Sequence, residues 1–282
     1  MKMLITGATG KIGSKIIERL SSRYEIVALD RTLSVSNLSA KFHKVDLAKF
    51  TEVKEIFESE SPDYVIHLAA ILGPVCESNP ILAKEINVDA TGNLVKLAIE
   101  NKVKKFVFAS TSAVYDQKVL RPTKEEENIN PKSVYGQSKL AAEKVIMQSA
   151  TNLSTDFVIL RMFNVYGKEF NDSLINKLIG SKAQAPIKVV GPENFVRDYI
   201  HIDDVVTAFE LAIKTKLPNR VEIFNIASGK TTSNQELIKI VQKGHPGIRF
   251  DIQHCTQNYS WADIGRAKDY LEFSPTMQIL ID

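Results

Sequence analysis

The 282 residues include only two cysteines, Cys76 and Cys255. So far apart in sequence, they form neither a metal-type pair nor a disulfide framework, and the chain fits a reducing compartment. An excess of one charge is missing too: 36 basic residues stand against 33 acidic ones, a net of +3. That balance is too mild and too evenly spread to make nucleic acid the main partner. The densest basic patch, KVKK at 102–105, reads as a charged lead-in to the apolar run FVFAS. No apolar run approaches the roughly 18 residues that would span a bilayer. The first strand-like run starts almost at Met1, leaving no room for a signal segment. The expectation is therefore a cytoplasmic protein with neither a membrane nor a nucleic-acid partner. Internal repeats, low-complexity tracts and long linkers are absent as well, which excludes a solenoid or a disordered array. What is there, 44% hydrophobic residues over this length, suffices for one large domain or for a domain with a smaller lobe.

Short apolar runs alternate with stretches of helical periodicity. KMLITG (2–7) and YEIVALD (24–30) read as strands on either side of a helical KIGSKIIERLSS (11–22). EVKEIFESE (52–60) is helical, PDYVIHLAA (62–70) a strand, NPILAKEINVDATGNLVKLAIEN (79–101) one helix and VKKFVFAST (103–111) a strand. A helix around Tyr135 and the strand TDFVILRMFNV (155–165) follow. Such alternation predicts an α/β fold, a doubly wound parallel sheet of Rossmann type covered by helices on both faces. After Tyr166 glycine, proline and polar residues loosen the pattern. Residues 1–166 are expected to form the main domain, with 198–228 packing back onto it. Residues 167–197 and 229–282 are expected to form a smaller lobe.

TGATGKIG, Thr6 to Gly13, follows the first strand and opens the first helix. Gly7, Gly10 and Gly13, with Thr9, Lys11 and Ile12 between them, permit a tight turn and close backbone approach to a pyrophosphate at a helix N-terminus. The spacing is G-x-x-G-x-x-G, and the position between strand and helix strengthens the signal. Asp30 closes the second strand 17 residues after Gly13, near the offset of an acid that accepts from ribose hydroxyls. Asp30 argues for NAD, and Arg31 beside it leaves NADP open. In SVYGQSKLAAEK, Tyr135 and Lys139 stand four residues apart on one predicted helical face. An ammonium beside a phenol favours phenolate and makes a general acid/base. For an isolated pair, ordinary packing of both side chains would be the better reading.

Glycine loop, Asp30 and the Tyr135/Lys139 pair together resemble the extended short-chain dehydrogenase/reductase family, particularly its nucleotide-sugar epimerase and dehydratase branch. The resemblance runs through nearly the whole chain, by VDL at 45–47, HLAA at 67–70, NVDATGN from Asn87, STSAVY at 110–115, LRMFNVYG at 160–167, RDYIHIDD at 197–204 and FNIASG at 224–229. It implies a catalytic trio of Thr111, Tyr135 and Lys139. Tyr135 exchanges a proton with the sugar hydroxyl, Lys139 lowers its pKa and holds the nicotinamide ribose, and Thr111 hydrogen-bonds the reacting oxygen. It also implies cofactor contacts from Asp46 and Leu47 beside the adenine and from Leu68, Ala69, Ala70 and Asn87. Strand alternation turns Thr111 away from Ser110 and Ser112. His67, at the end of a buried strand, reads as structural. Asn164 and Arg197 match positions that commonly contact a nucleotide-sugar diphosphate, a salt bridge from Arg197 to Asp198 or Asp203 being the alternative. The resemblance further implies a homodimer through the helix at 87–101 and the Tyr135 helix.

Four features depart from the family pattern. Ser112 and Ala113 replace the Asp-Glu pair of 4,6-dehydratases, which disfavours dehydration. No second arginine or lysine lies between Arg249 and Arg266 to clamp a diphosphate. Asp116 replaces the usual glycine after VY. The small lobe is short, as in 4-keto-reductases of deoxysugars. The leading expectation is a NAD-dependent nucleotide-sugar epimerase acting at C4, with no metal. Behind it stand a reductase of a nucleotide-linked 4-keto-6-deoxysugar, a dehydrogenase of a small hydroxy or amino acid, and a non-catalytic cofactor sensor.

Overall fold

The computed structural model describes residues 1–32, 39–118, 120–127, 129–150, 155–181, 186–191, 193–253, 257–277 and 279; Cys255 lies outside them. Seven parallel strands form the central sheet. In chain order six of them are β1 (Lys2–Thr6), β2 (Glu25–Asp30), β3 (Lys41–Lys44), β4 (Tyr64–His67), β5 (Lys105–Thr111) and β6 (Asp156–Met162). β7 (Asn164–Tyr166), β8 (Ile187–Val190) and β9 (Phe195–His201) lie outside this sheet, and β10 (Val221–Ile226) returns to its edge beside β6. The order is β10-β6-β5-β4-β1-β2-β3, so the chain reverses direction across the sheet between β1 and β4. A crevice opens beyond the strand ends at such a switch point, where doubly wound sheets bind their ligands.

Two helical layers cover the sheet because its strands are apolar on both faces. Met3 and Ile5 of β1 point to one side with Ile16, Ile17 and Leu20 of α1 (Lys11–Leu20). Val205 and Phe209 of α8 (Ile202–Lys214) join them. Leu4, between Met3 and Ile5, points to the other side, as the two-residue period of a strand requires. There it meets Phe57 of α2 (Phe50–Glu60), Leu94 and Leu97 of α5 (Ala90–Glu100), and Ala142 and Ile146 of α6 (Val134–Ser149).

The run read as one helix over 79–101 is helical without interruption from Pro80 to Glu100, though not α-helical throughout. Asn79 separates α3 (Gly73–Ser78) from α4 (Pro80–Lys84), accepting from Leu82 N at 3.0 Å with its side chain. A π-helical turn, Glu85–Asp89, then leads into α5.

The remaining elements pack beside β6 and β10. α7 (Leu174–Ile179), α9 (Asn234–Gly244) and β8 bury Leu178, Leu237, Val241 and Val189 around one another. β9 pairs with β7, β11 (Thr231–Ser233) and β13 (Asn258–Ser260), while β12 (Phe250–Gln253) pairs with β8. α10 (Gly265–Leu271) packs Ala267 and Leu271 into the α1 and α8 layer. No helix among the described residues is long and apolar enough to cross a membrane.

Candidate active site

A cavity of about 690 Å³ runs along the ends of β1, β2, β4 and β5, within the size range of small-molecule sites. Its first part is the glycine loop. Gly7 has φ +66°, a left-handed turn that glycine adopts without penalty. A Cβ there would sit 2.7 Å from Ala69 N, and one on Gly13 would sit 2.4 Å from Gly7 O. The loop is therefore closed against its own backbone and against the chain leaving β4. The first helical hydrogen bond runs from Ser14 N to Gly10 O at 2.9 Å. The amides of Lys11, Ile12 and Gly13 precede it and are left for an anion at the positive end of α1. Lys11 stands 3.7 Å from Asp172 and 4.8 Å from the Phe170 ring centroid, tying a later segment across the loop.

Asp30 lies at the end of β2, where its carboxylate accepts from Thr9 N at 3.0 Å and from Arg31 N at 2.7 Å. Gly7, Thr9, Gly10, Lys11, Ile12, Gly13, Asp30, Arg31, Asp46, Leu47, Leu68, Ala69 and Ala70 all line the cavity. A glycine-closed cradle, free helix amides and a carboxylate at one end fit an adenine dinucleotide.

Thr111, Tyr135 and Lys139 line the same cavity. Ser133 begins α6, accepting from Gly136 N at 3.0 Å, and so sets the phase that turns Tyr135 and Lys139 inward. Burial pushes the Tyr135 phenol up to about 12, with Cys76 adding to the rise and the Thr111 hydroxyl opposing it by a hydrogen bond. Lys139 is 1% exposed, its ammonium 3.9 Å from the centroid of the Phe108 ring. Burial pulls it down to about 7, against the opposing charge of Glu143. Lys139 was expected to lower the tyrosine. In the protein itself burial dominates both groups, because each is taken out of water before any ligand charge arrives.

Three predicted contact residues stand behind or beside the cavity wall. The Asn87 amide is engaged within the protein: Oδ1 accepts from Ile71 N at 2.7 Å, and Nδ2 donates to Ile71 O at 3.0 Å and to Ser138 Oγ at 2.9 Å. Asn164 Nδ2 donates to Asp198 O at 2.9 Å. Arg197 donates to Val196 O at 2.9 Å and to Asn258 O at 3.2 Å, its guanidinium 3.7 Å from the Phe195 ring centroid. The neighbouring Asp198 carboxylate is held instead by Ser228 and Gly229.

His67 is structural, as expected. Thr91 donates its hydroxyl proton to Asn87 O at 2.8 Å, so it accepts from His67 Nε2–H at 2.9 Å. His67 Nδ1 then accepts from Thr6 Oγ1 at 2.6 Å. Burial keeps this imidazole neutral, pushed down to about 3.

Sequence reasoning did not find Ile71, Leu72, Phe163, Val165, Phe170 or Asp172 in the cavity wall. Ile71, Leu72, Phe163 and Val165 adjoin or lie within the runs HLAA and LRMFNVYG that signal the site, whereas Phe170 and Asp172 come from a later segment with no local signal. Among the described residues no three His, Cys, Asp or Glu side chains gather into a metal site.

The chain belongs to the NAD dependent epimerase/dehydratase family, whose model matches residues 3–227. It is 33% identical to a putative UDP-glucose 4-epimerase of Methanocaldococcus jannaschii over 85% of this chain and 81% of that protein. With the UDP-glucuronate 4-epimerase of Thermodesulfobacterium geofontis it shares 30% identity over 98% of this chain and 92% of the other. Among solved structures it is similar to the UDP-glucose 4-epimerase of Thermotoga maritima bound to UDP-glucose. That match has a TM-score of 0.88 at 26% identity, over 99% of this chain and 95% of that one. The UDP-glucuronic acid 4-epimerase of Bacillus cereus, solved with a fluorinated UDP-glucuronic acid and NAD, matches with a TM-score of 0.87 at 27% identity over the same shares.

Proposed function

We propose that the protein is a NAD-dependent nucleotide-sugar epimerase that inverts C4 of a UDP-hexose or UDP-hexuronate. The observation that carries this reading is a single cavity with the glycine loop and Asp30 toward one end and Thr111, Tyr135 and Lys139 in the other part. The relatives named above supply the substrate class.

Gly7, Gly10 and the amides at the start of α1 hold the pyrophosphate, and Asp30 accepts from the adenine ribose hydroxyls. Lys139 binds the second ribose and places its positive charge beside Tyr135. When bound, NAD supplies a carbon that takes a hydride from C4 of the sugar and returns it, together with the positive charge of its oxidised ring. The Tyr135 oxygen takes the proton of the 4-hydroxyl and gives it back, while Thr111 hydrogen-bonds the same oxygen and keeps it in line. Buried Ile71 and Phe163 make the wall apolar and keep water from the proton path.

Residues 167–197 and 229–282 serve as the substrate lobe, and the diphosphate, once bound, meets Arg197 of this lobe and Asn164 of the main domain. Asn87 supports the cofactor site from behind, through the backbone of Ile71. The protein works in the cytoplasm as a homodimer joined through α5 and α6, which pack side by side. Light scattering on the purified protein tests the dimer.

The reading is tested by incubating the protein and NAD with a panel of UDP-hexoses and UDP-hexuronates and following the sugar protons by NMR. A C4 epimer formed without net loss or gain of reduced cofactor is expected. If no sugar in the panel is inverted, the reading fails. Stoichiometric oxidation of NADH by a nucleotide-linked 4-ketosugar would replace it with a reductase.

A further inference from the structure

Behind the cavity, on the same face of α6 as Lys139, lies a charged group that the proposed reaction does not use. Glu143 is one turn beyond Lys139 and fully buried. Its carboxylate accepts from Ser110 Oγ, from Arg161 Nε at 3.0 and 3.2 Å, and from Arg161 Nη2 at 2.6 Å. Arg161, 3% exposed, extends to the Tyr115 hydroxyl at 2.8 Å and the Glu125 carbonyl at 2.6 Å. Tyr115 OH in turn donates to Asn225 Oδ1 at 2.7 Å. A buried pair of this kind is poor value for stability, because apolar side chains of similar volume fill such a space without losing hydration. Its position suggests electrostatics instead. Residues four apart on a helix are neighbours, and an ammonium as buried as that of Lys139 has exchanged water for the face of Phe108.

We propose that Glu143 is a positioning residue for the reaction, its carboxylate fixed one turn from Lys139 by Arg161 and Ser110 so that the buried lysine keeps positive charge that burial alone would remove. The proposal rests on the reading of Lys139 as the lysine beside the cofactor and the acid/base. The titratable groups that face Lys139 are Tyr135 and Glu143 on α6, Cys76 on α3 and His67 on β4. Burial raises the Cys76 thiol and the Tyr135 phenol and lowers His67, so all three are neutral near pH 7. Glu143, with Arg161 behind it, is the formal charge that remains. It is the largest influence opposing the burial of Lys139. Ser110, on the strand face opposite Thr111, thereby has a part of its own: it holds Glu143.

The test is competitive acetylation of the cofactor-free protein by acetic anhydride, with the Lys139 peptide quantified by mass spectrometry across pH. This gives the lysine's titration midpoint without any need for activity. Glu143→Gln leaves Arg161 facing the lysine alone, and the midpoint is expected to fall by about one pH unit. Arg161→Met leaves Glu143 unpaired, and the midpoint is expected to rise. Glu143→Asp keeps the charge and should restore the wild-type value. A merely structural role would loosen the site and send both single variants upward toward the ordinary lysine value. Should the single variants fail to fold, the double variant Glu143→Leu with Arg161→Met replaces the pair by apolar side chains, and its midpoint is expected below wild type. An unshifted or raised midpoint in the double variant overturns the proposal. Midpoints that shift as expected in the variants, when the wild type epimerises nothing, would support this charge coupling while overturning the functional reading.

Discussion

Replacing Gly7 by alanine tests the geometry of the cofactor loop. The residue sits at φ +66°, a conformation that costs an L side chain roughly 1–2 kcal/mol relative to glycine. The added Cβ would also lie 2.7 Å from Ala69 N, 2.9 Å from Ala69 Cα and 3.0 Å from Leu68 C. All three are backbone atoms just beyond β4, so relief requires the ends of β1 and β4 to part. Overpacking of this kind costs about 1–3 kcal/mol. Alanine restricts the unfolded chain and returns about 0.4–1 kcal/mol. The net loss is about 1–5 kcal/mol from these three contributions, which for a chain of this length lowers Tm by about 2–20 °C. Gly73→Ala is the matched control: its Cβ meets nothing within 4 Å, and Tm should stay near that of the wild type. Thermal unfolding followed by circular dichroism reads stability, and calorimetric titration with NAD reads the loop. Gly7→Ala should melt early and bind NAD weakly. Equal melting temperatures for the two variants would refute the reasoning.

Tyr135→Phe removes the proton-transfer group and nothing that the fold depends on. Turnover should fall about 100- to 10,000-fold, with Tm and NAD binding close to wild type in the same assays. His67 gives an acid-side signature. Its imidazole is pushed down to about 3 in the folded protein against about 6.5 in an unfolded chain. The unfolded state takes up the proton first, so stability from this group is complete above about pH 6.5 and is lost as pH falls toward 3. The slope is at most about 1.4 kcal/mol per pH unit. Denaturant titrations across that window should show His67→Gln with a flatter arm. Asp198 is the opposite case. Burial raises its carboxyl to about 6, and it accepts from Ser228 N at 2.8 Å and Gly229 N at 3.0 Å. Its contribution is greatest below about pH 4 and declines as pH rises through 6. Asp198→Asn should remove this slope and, by setting an amide donor among N–H groups, destabilise the protein by about 1–3 kcal/mol, read by the same titrations.

The sheet was legible where its strands are long apolar runs. KMLITG, YVIH and FVIL could be read as buried on both faces, and EIFNIAS as a return to the sheet, because burial on two sides leaves no polar alternation. β3 was not read: KFHK is polar, lies at the edge and takes Glu60 as a partner for Lys41 and His43. α3 was not read because GPVCES is a single short turn opening on glycine and proline, with too few residues for a helical period. The π turn that faces Asn87 inward has no periodicity of its own. In the site, the glycine loop, Asp30 and the Tyr135 helix were legible because their chemistry is local in sequence. Phe170 and Asp172 were not, since they reach the glycine loop through tertiary packing, with Lys11 among their partners. The direction of the Tyr135 shift was misjudged for a related reason: spacing reveals which charge is near but not how much water burial removes.

The central claim, inversion at C4 by removal and return of the same hydrogen, is tested most directly with UDP-glucose and UDP-glucuronate carrying deuterium at C4. Wild-type protein with a trace of NAD is predicted to give the inverted sugar with the deuterium still at C4 and no net change in nicotinamide absorbance. Deuterium lost to solvent, or no inversion of either sugar, would contradict the account.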